Sequence, residues 1–409
     1  MEGAKDGVHA LLDRYDASGS DLLYVTDRAP SKTTGGGLSY GAERARFLSF
    51  GSLTVSAGVE SGHAAGGATS LDKDVFHVGD VKEIGRFPEI PYPTVLTAGG
   101  VRRDADTVAA HETAAAALKA EVARRLAHAK RKEIMIFVHG YNNSFDDAAL
   151  STGKICRSLD SEFVCILLTW PAGGSRGALL GYNVDRESGE FAVADLKKAI
   201  RIIAEAPGSE RIHLLAHSRG TDVLVSVLQQ LGIEAYVSRS SLSRRYKVSN
   251  IVLFAPDIDF DVAAAKIFGL ASDPDLTYGA SARPLGVFPQ GALHMTIYSS
   301  PNDRALGISS RLFGSVIRLG QFSVDQTPQD RDRAAMMAPL SQIQGLVEFI
   351  EFDGRTSFVG HDYFLSNPAV STDLALLLRQ RAKAGDPARP LVEVSRPFWR
   401  IVEKAQVSR

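Results

Sequence analysis

Cysteine is scarce in this chain: only Cys156 and Cys165 occur among 409 residues, both inside apolar stretches. That excludes the disulfide framework of a small secreted domain, and the two read as buried structural thiols, which a reducing compartment would tolerate. Long apolar runs are missing as well. No stretch approaches the roughly 18 to 20 residues of a membrane-spanning helix, so no integral span is expected. The start, Met1-Glu2-Gly3-Ala4-Lys5-Asp6-Gly7, lacks the basic segment and apolar core of a secretory signal. As the chain stands a cytoplasmic location is expected, or a secreted or periplasmic one if a signal segment precedes it.

An excess of charge is also absent. The formal net charge of -1 gives no electrostatic reason to expect nucleic acid or anionic lipid as a partner. The 10 histidines are scattered without a His-Glu-x-x-His spacing, and there is no Cys-x-x-Cys, so neither a metal nor a cofactor is expected. Gly35-Gly36-Gly37 is not followed by Lys-Ser or Lys-Thr, and Gly153-Lys154 lacks the upstream glycine of a phosphate loop. Both read as local turn or packing features.

What is present is the composition of a soluble globular enzyme, 44% hydrophobic and 23% charged. The first hundred residues carry β-rich pieces, 21–26 and 46–55, between turn-rich segments. From about residue 105 strands alternate with helices: a helix over 106–130, a strand over 133–138, a helix near 145–158 and a strand over 163–169. A helix over 190–205 and a strand ending at Ser218 follow, then strands over 250–254, 294–298 and 347–352. Continuous apolar strands between amphipathic helices predict an α/β fold with a mostly parallel sheet covered on both faces. The expected organisation is a β-rich N-terminal extension, 1–104, packed on a catalytic domain, 105–385, with a C-terminal tail, 386–409. The Pro- and Gly-rich segment 270–290 reads as a loop suited to a lid. The basic stretch 239–247 reads as a solvated surface turn.

The strongest chemical signal is Ala216-His217-Ser218-Arg219-Gly220, at the end of an apolar run and before a helix-like segment. A strand turning sharply into a helix leaves room only for small residues two positions either side of the serine, and the turn lifts its hydroxyl clear of the sheet. Ala216 stands where glycine is more usual. Serine is a poor nucleophile unless a histidine base, oriented by a carboxylate, takes its proton. In open parallel sheets such groups collect outside the carboxyl ends of strands. Only His294 and His361 follow Ser218. His294 begins a strand, at the wrong edge, whereas His361 follows a glycine in a loop after a late strand and is the expected base. Asp303, beyond the strand 294–298, is the expected acid, with Asp257 as the alternative and Asp259 beside it a further candidate; Asp257 or Asp259 could instead cap the helix beginning near Phe260.

A tetrahedral oxyanion needs backbone donors. Phe137-Val138-His139-Gly140-Tyr141 offers the Tyr141 N–H at a strand end, and the Arg219 N–H is the expected second donor. His139, Gly140, Trp170 and His217 are candidates for pocket or loop support, with His139 read as a packed side chain. Tyr182 and Asp185 read as loop anchors.

Taken together, Phe137-Val138-His139-Gly140-Tyr141-Asn142, Thr169-Trp170-Pro171, the Ser218 elbow, Asn302-Asp303-Arg304-Ala305 and Gly360-His361-Asp362-Tyr363 resemble the α/β-hydrolase superfamily. They are most similar to a bacterial branch known as domain of unknown function 900. Ser39-Tyr40-Gly41-Ala42-Glu43-Arg44 and Leu48-Ser49-Phe50-Gly51 also look like that branch. The resemblance spans roughly residues 20–370 and implies the Ser218, Asp303 and His361 triad, but little about substrate. The expectation is a serine hydrolase acting on small-molecule carboxylic esters. The alternatives are a lipase, thioesterase or lactonase on the same triad, or a non-catalytic binding protein of this fold.

Overall fold

The alternation of apolar strands and amphipathic helices builds one eleven-stranded sheet in the computed structural model, which describes residues 20–58, 75–174, 178–272, 293–307, 318–323, 345–354 and 361–402. Three long strands come first: β1 (Ser20–Lys32), β2 (Leu38–Gly58) and β3 (Val75–Arg86). A separate hairpin, β4 (Thr94–Thr97) and β5 (Gly100–Arg103), leads into α1 (Ala105–His128). Then β6 (Glu133–Val138), α2 (Phe145–Ser158), β7 (Val164–Thr169), α3 (Ala178–Ala204), β8 (Arg211–His217) and α4 (Gly220–Val237) alternate. After the short α5 (Leu242–Tyr246) come β9 (Val248–Phe254), α6 (Phe260–Ser272), β10 (His294–Ser299) and β11 (Val347–Glu351). The chain closes with α7 (Tyr363–Ser366), α8 (Pro368–Arg379), β12 (Leu391–Ser395) and β13 (Phe398–Ile401).

The strand order is β12-β13-β11-β10-β9-β8-β6-β7-β1-β2-β3. All neighbours from β13 to β1 run parallel, and antiparallel pairs occur only at the two edges. Strands β6 and β7 are buried along their whole length, as expected of a parallel sheet with helices on both faces. One apolar layer packs the sheet against α1, α3 and α4 through Leu118, Leu196 and Leu224. The other packs it against α2 and α8 and is rich in aromatics, with Tyr24, Phe145, Phe254 and Phe364. Helix starts carry their own signals. Ser144 and Asp147 form a reciprocal capping box at α2, and Asn367 caps α8 with Pro368 just inside it.

The N-terminal strands join the sheet edge-on, β1 pairing with β7 from Leu23 opposite Ile166 to Thr26 opposite Thr169. At the other edge β12 and β13 come from residues beyond 386. The α3 helix begins well before residue 190, so Tyr182 and Asp185 lie in its first turns; Gly181 and Asn183 disguised a helix stabilised by packing. The stretch 239–247 folds as α5 capped by Ser241, with Leu242 and Tyr246 buried and the arginines exposed. Residues 273–290 of the expected lid segment lie outside the described residues.

The expected thiols are corrected. Cys156 and Cys165 form a disulfide, with Cα atoms 6.1 Å apart. The last turn of α2 lies over the start of β7, which brings two residues of separate apolar stretches within bridging distance, a juxtaposition their spacing does not show.

Candidate active site

The parallel register aligns the carboxyl ends of the strands. Val138 of β6 lies opposite Ala216 of β8 and Leu168 of β7, and His217 lies opposite Phe254 of β9. The chain leaves β6 toward α2 on one face and leaves β8 toward α4 on the other, which opens a crevice between those two strand ends. Ser218 stands there.

Its backbone has φ of 52°, in the left-handed region that non-glycine residues rarely adopt, at a cost of about 1–3 kcal/mol. Several hydrogen bonds hold the turn. The Ser218 N–H donates to the Phe254 carbonyl (3.0 Å), and the Ser218 carbonyl accepts from the Thr221 and Asp257 N–H groups (3.0 and 3.1 Å). The Thr221 hydroxyl donates to the same carbonyl at 2.6 Å. Two glycines let the strand ends touch. A Cβ on Gly220 would sit 2.1 Å from the His139 carbonyl oxygen, and one on Gly140 would sit 2.8 Å from the Ser218 Cβ. Ala216 is fully buried in the strand, where its methyl is accommodated.

Asp303 and His361 are brought together. Asp303 Oδ2 lies 2.6 Å from His361 Nδ1, the carboxylate buried and the ring 18% exposed. The Leu306 N–H donates to Asp303 Oδ1 (3.2 Å), and the Gln321 amide donates to the Asp303 carbonyl (2.8 Å). A carboxylate accepting at Nδ1 fixes the proton there and leaves Nε2 as the basic nitrogen. No hydrogen bond joins Ser218 to the His361 ring among the described residues; such contacts are often loose before substrate binds. Asp257 is engaged elsewhere, accepting from the Tyr182 hydroxyl at 2.8 Å and facing Arg318 at 3.6 Å. Asp259 caps α6 by accepting the Asp261 N–H at 3.0 Å. His294 pairs with Glu348 at the amino end of β10, away from this rim.

His217 packs its ring 4.6 Å from that of His361 and 4.5 Å from that of Phe364. Its Nε2–H donates to the His361 main-chain carbonyl at 3.0 Å. Burial, with the neighbouring His361, holds its pKa well below the ordinary value, so the ring is a neutral prop.

The loop after β6 is built around His139. The ring is fully buried and stacks on Trp170, with centroids 5.2 Å apart. The Trp170 N–H donates to His139 Nε2 (3.1 Å), and the indole N–H donates to the His139 carbonyl (2.9 Å). Nε2 is therefore an acceptor, which puts the proton on Nδ1, where it is donated to the Gly140 carbonyl (2.9 Å). Burial, then the nearby Arg28 cation, keep the imidazole neutral by pushing its pKa far down. In the trans peptide between Gly140 and Tyr141 the N–H opposes the carbonyl, so the Tyr141 N–H turns away from the His139 ring. Trp170 is completely buried beneath this loop and supports it rather than facing a pocket. Asp185 accepts the Asn142 and Gly173 N–H groups (3.0 and 3.3 Å), tying the loops after β6 and β7 to α3.

Arg28, which sequence reasoning missed, is the other anchor. Its guanidinium is buried beside His139, Thr169 and the carbonyls of Asn143 and Ala172. The one available signal was a basic residue just past the apolar strand 21–26. Among the described residues no group of three His, Cys, Asp or Glu side chains is placed to hold a metal. No described helix is long and apolar enough to cross a membrane.

Residues 114–381 match the family described as alpha/beta hydrolase of unknown function (DUF900), a span of more than half the chain. Among solved structures, the Zea mays acyl-protein thioesterase 2 is similar over 60% of this chain and 95% of its own, at 12% identity and a TM-score of 0.30. The Pyrobaculum calidifontis esterase is similar over 73% of this chain and 87% of its own, at 9% identity and a TM-score of 0.30. At such scores neither likeness carries an argument about activity. No curated protein matches the chain.

Proposed function

We propose that this chain, which belongs to the alpha/beta-hydrolase family of unknown function DUF900, is a serine hydrolase that cleaves carboxylic esters through an acyl-enzyme on Ser218. The observation that carries the reading is the 2.6 Å contact between Asp303 and His361 at the same sheet rim as a serine held at positive φ. Ser218 Oγ attacks the ester carbonyl carbon while its proton passes to His361 Nε2. The resulting imidazolium protonates the departing alcohol as the ester C–O bond breaks. Water then attacks the acyl carbon, giving its proton to His361, and the acid leaves as the Ser218 hydroxyl is restored. Asp303 stays ionised, holding the imidazole tautomer and stabilising the imidazolium.

The negative charge on the carbonyl oxygen is met by two backbone donors. One is the Tyr141 N–H, turned away from His139. The other is the Arg219 N–H at the entrance to α4, where first-turn amides have no intrahelical acceptor and the helix dipole favours an anion. Ser218→Ala in the full chain tests the assignment with p-nitrophenyl acetate. The expected loss in kcat is roughly a million-fold, as for a nucleophile removed from a triad. Turnover near the wild-type rate in that variant overturns it.

A further inference from the structure

We infer that Arg28, which lies outside the residues matching the family, is a positioning residue for the oxyanion donor at Tyr141; the inference rests on the reading of Ser218 as the nucleophile. The sheet register brings Arg28 there. Because β1 runs parallel to β7 only as far as Thr26 opposite Thr169, it exits that pairing at the carboxyl rim and continues along β2, with Arg28 opposite Arg44. A register shift between Thr26 and Arg28 in the pairing with β2 accompanies this exit, the kind of irregularity that re-aims a side chain.

A guanidinium has five N–H donors in a fixed planar fork. Here all five are used. Nε donates to the Thr169 hydroxyl oxygen (2.8 Å). Nη1 donates to the carbonyls of Gly41 (3.0 Å) and Ala172 (2.9 Å). Nη2 donates to the Asn143 carbonyl (2.7 Å) and faces His139 Nε2 (3.3 Å). Every acceptor is neutral, and the residue is 1% exposed. Burial lowers its pKa to about 10, so it remains a cation at neutral pH.

A buried cation whose hydrogen bonds all go to neutral groups, and apart from the Gly41 carbonyl of β2 to the end of β7 and the loops after β6 and β7, is built to hold those loops. Arg28 holds the Asn143 and Ala172 carbonyls, and Asp185 holds the N–H groups of their neighbours Asn142 and Gly173. The effect on the donor runs through His139. Arg28, with Thr169 at 2.9 Å, crowds Nε2 with donors, which admits only the tautomer protonated at Nδ1. That proton holds the Gly140 carbonyl, and the planar peptide fixes the Tyr141 N–H on the opposite side. Protonation of Nε2 would set donor against donor. The N-terminal strands thereby form part of the proposed catalytic unit.

The test uses the full chain with a fluorophosphonate to count active serines, p-nitrophenyl acetate for kinetics and a trifluoromethyl ketone as the probe of oxyanion binding. Arg28→Lys keeps the charge but offers at most three donors. It is expected to lower kcat per labelled serine about 10- to 100-fold, short of the 10²–10³ for outright loss of a donor, with KM changed less than threefold. Affinity for the ketone, whose serine adduct carries the oxyanion, should fall in the same proportion. Thr169→Val removes the hydroxyl between Arg28 and His139 and should give a several-fold loss of the same kind, a second reading should the lysine variant fail to fold. Unchanged kcat per labelled serine in the folded variants, or a loss confined to KM or to the labelled fraction, overturns the inference. Wild-type protein that does not label at Ser218 overturns the reading on which it rests.

Discussion

The two halves of the sheet's carboxyl rim contrast in how they treat polar groups. On the β1, β7 and β6 side, Arg28, Thr169, Trp170 and His139 are almost fully buried and tied to one another by hydrogen bonds to neutral acceptors. On the β8, β9 and β10 side, a serine is held at positive φ and a carboxylate faces a partly exposed imidazole. The first half suits fixed dipoles, which stabilise a developing charge because nothing must reorganise when it appears. The second suits proton transfer, which needs a group that substrate can reach. A hydrolase needs both kinds of environment within one crevice, and here they meet where Gly140 packs against Ser218.

The sharpest way to break this contrast is at the acid. Asp303→Asn should lower kcat by about 10⁴-fold, as loss of the orienting carboxylate does in other triads, because the amide favours the wrong imidazole tautomer. Asp257→Asn should cost far less, since that carboxylate answers Tyr182 rather than His361. Steady-state kinetics on the two variants compares them directly, and the reverse order would move the acid to β9. A smaller effect is expected where the halves touch. Gly140→Ala sets a methyl 2.8 Å from the Ser218 Cβ, and a displacement of a few tenths of an ångström at both the serine and the Tyr141 donor should reduce kcat about 10-fold, short of the roughly 100-fold of a 1 Å misplacement. Activity within a factor of three of wild type would show that the close approach is incidental.

The smallest effect concerns stability. Asp27, next to Arg28, is fully buried, and neither of its oxygens has a hydrogen-bond partner. Burial, then the neighbouring Asp195 carboxylate, raise its pKa well above the ordinary value. The folded state thus retains a proton that the unfolded chain releases near pH 4. The native contribution of this group is complete below that pH and declines as pH rises toward the folded pKa. Asp27→Asn, which cannot ionise, should gain on wild type by about 1.4 kcal/mol per pH unit across that interval. Denaturant melts from pH 4 to 8 read the difference, and a stability gap that does not change with pH contradicts it.

How much of this was legible from sequence depended on the range of the interactions. The strands β6 to β11 and the Ser218 elbow rest on local patterns, apolar runs broken by small residues, and they stand where those patterns put them. The order of Ser218, Asp303 and His361 along the chain also translated directly into position, because successive parallel strands deliver successive loops to one rim. Arg28 was not legible, since its role depends on β1 pairing with β7 across more than a hundred intervening residues. Nor was the disulfide, since the meeting of Cys156 with Cys165 is decided by how α2 packs over β7. The early helical turns that carry Tyr182 and Asp185 were hidden by Gly181 and Asn183, residues of low helix propensity that tertiary packing overrides.

The proposed chemistry requires Ser218 to be an activated nucleophile. Fluorophosphonate labelling of the full chain, followed by peptide mapping, measures this without knowledge of the natural ester. A single adduct on Ser218 is predicted, absent in Ser218→Ala and formed at least a thousand-fold more slowly in His361→Ala, where the base is gone. A wild-type chain that stays unlabelled, or one that carries its adduct on another residue, would contradict it.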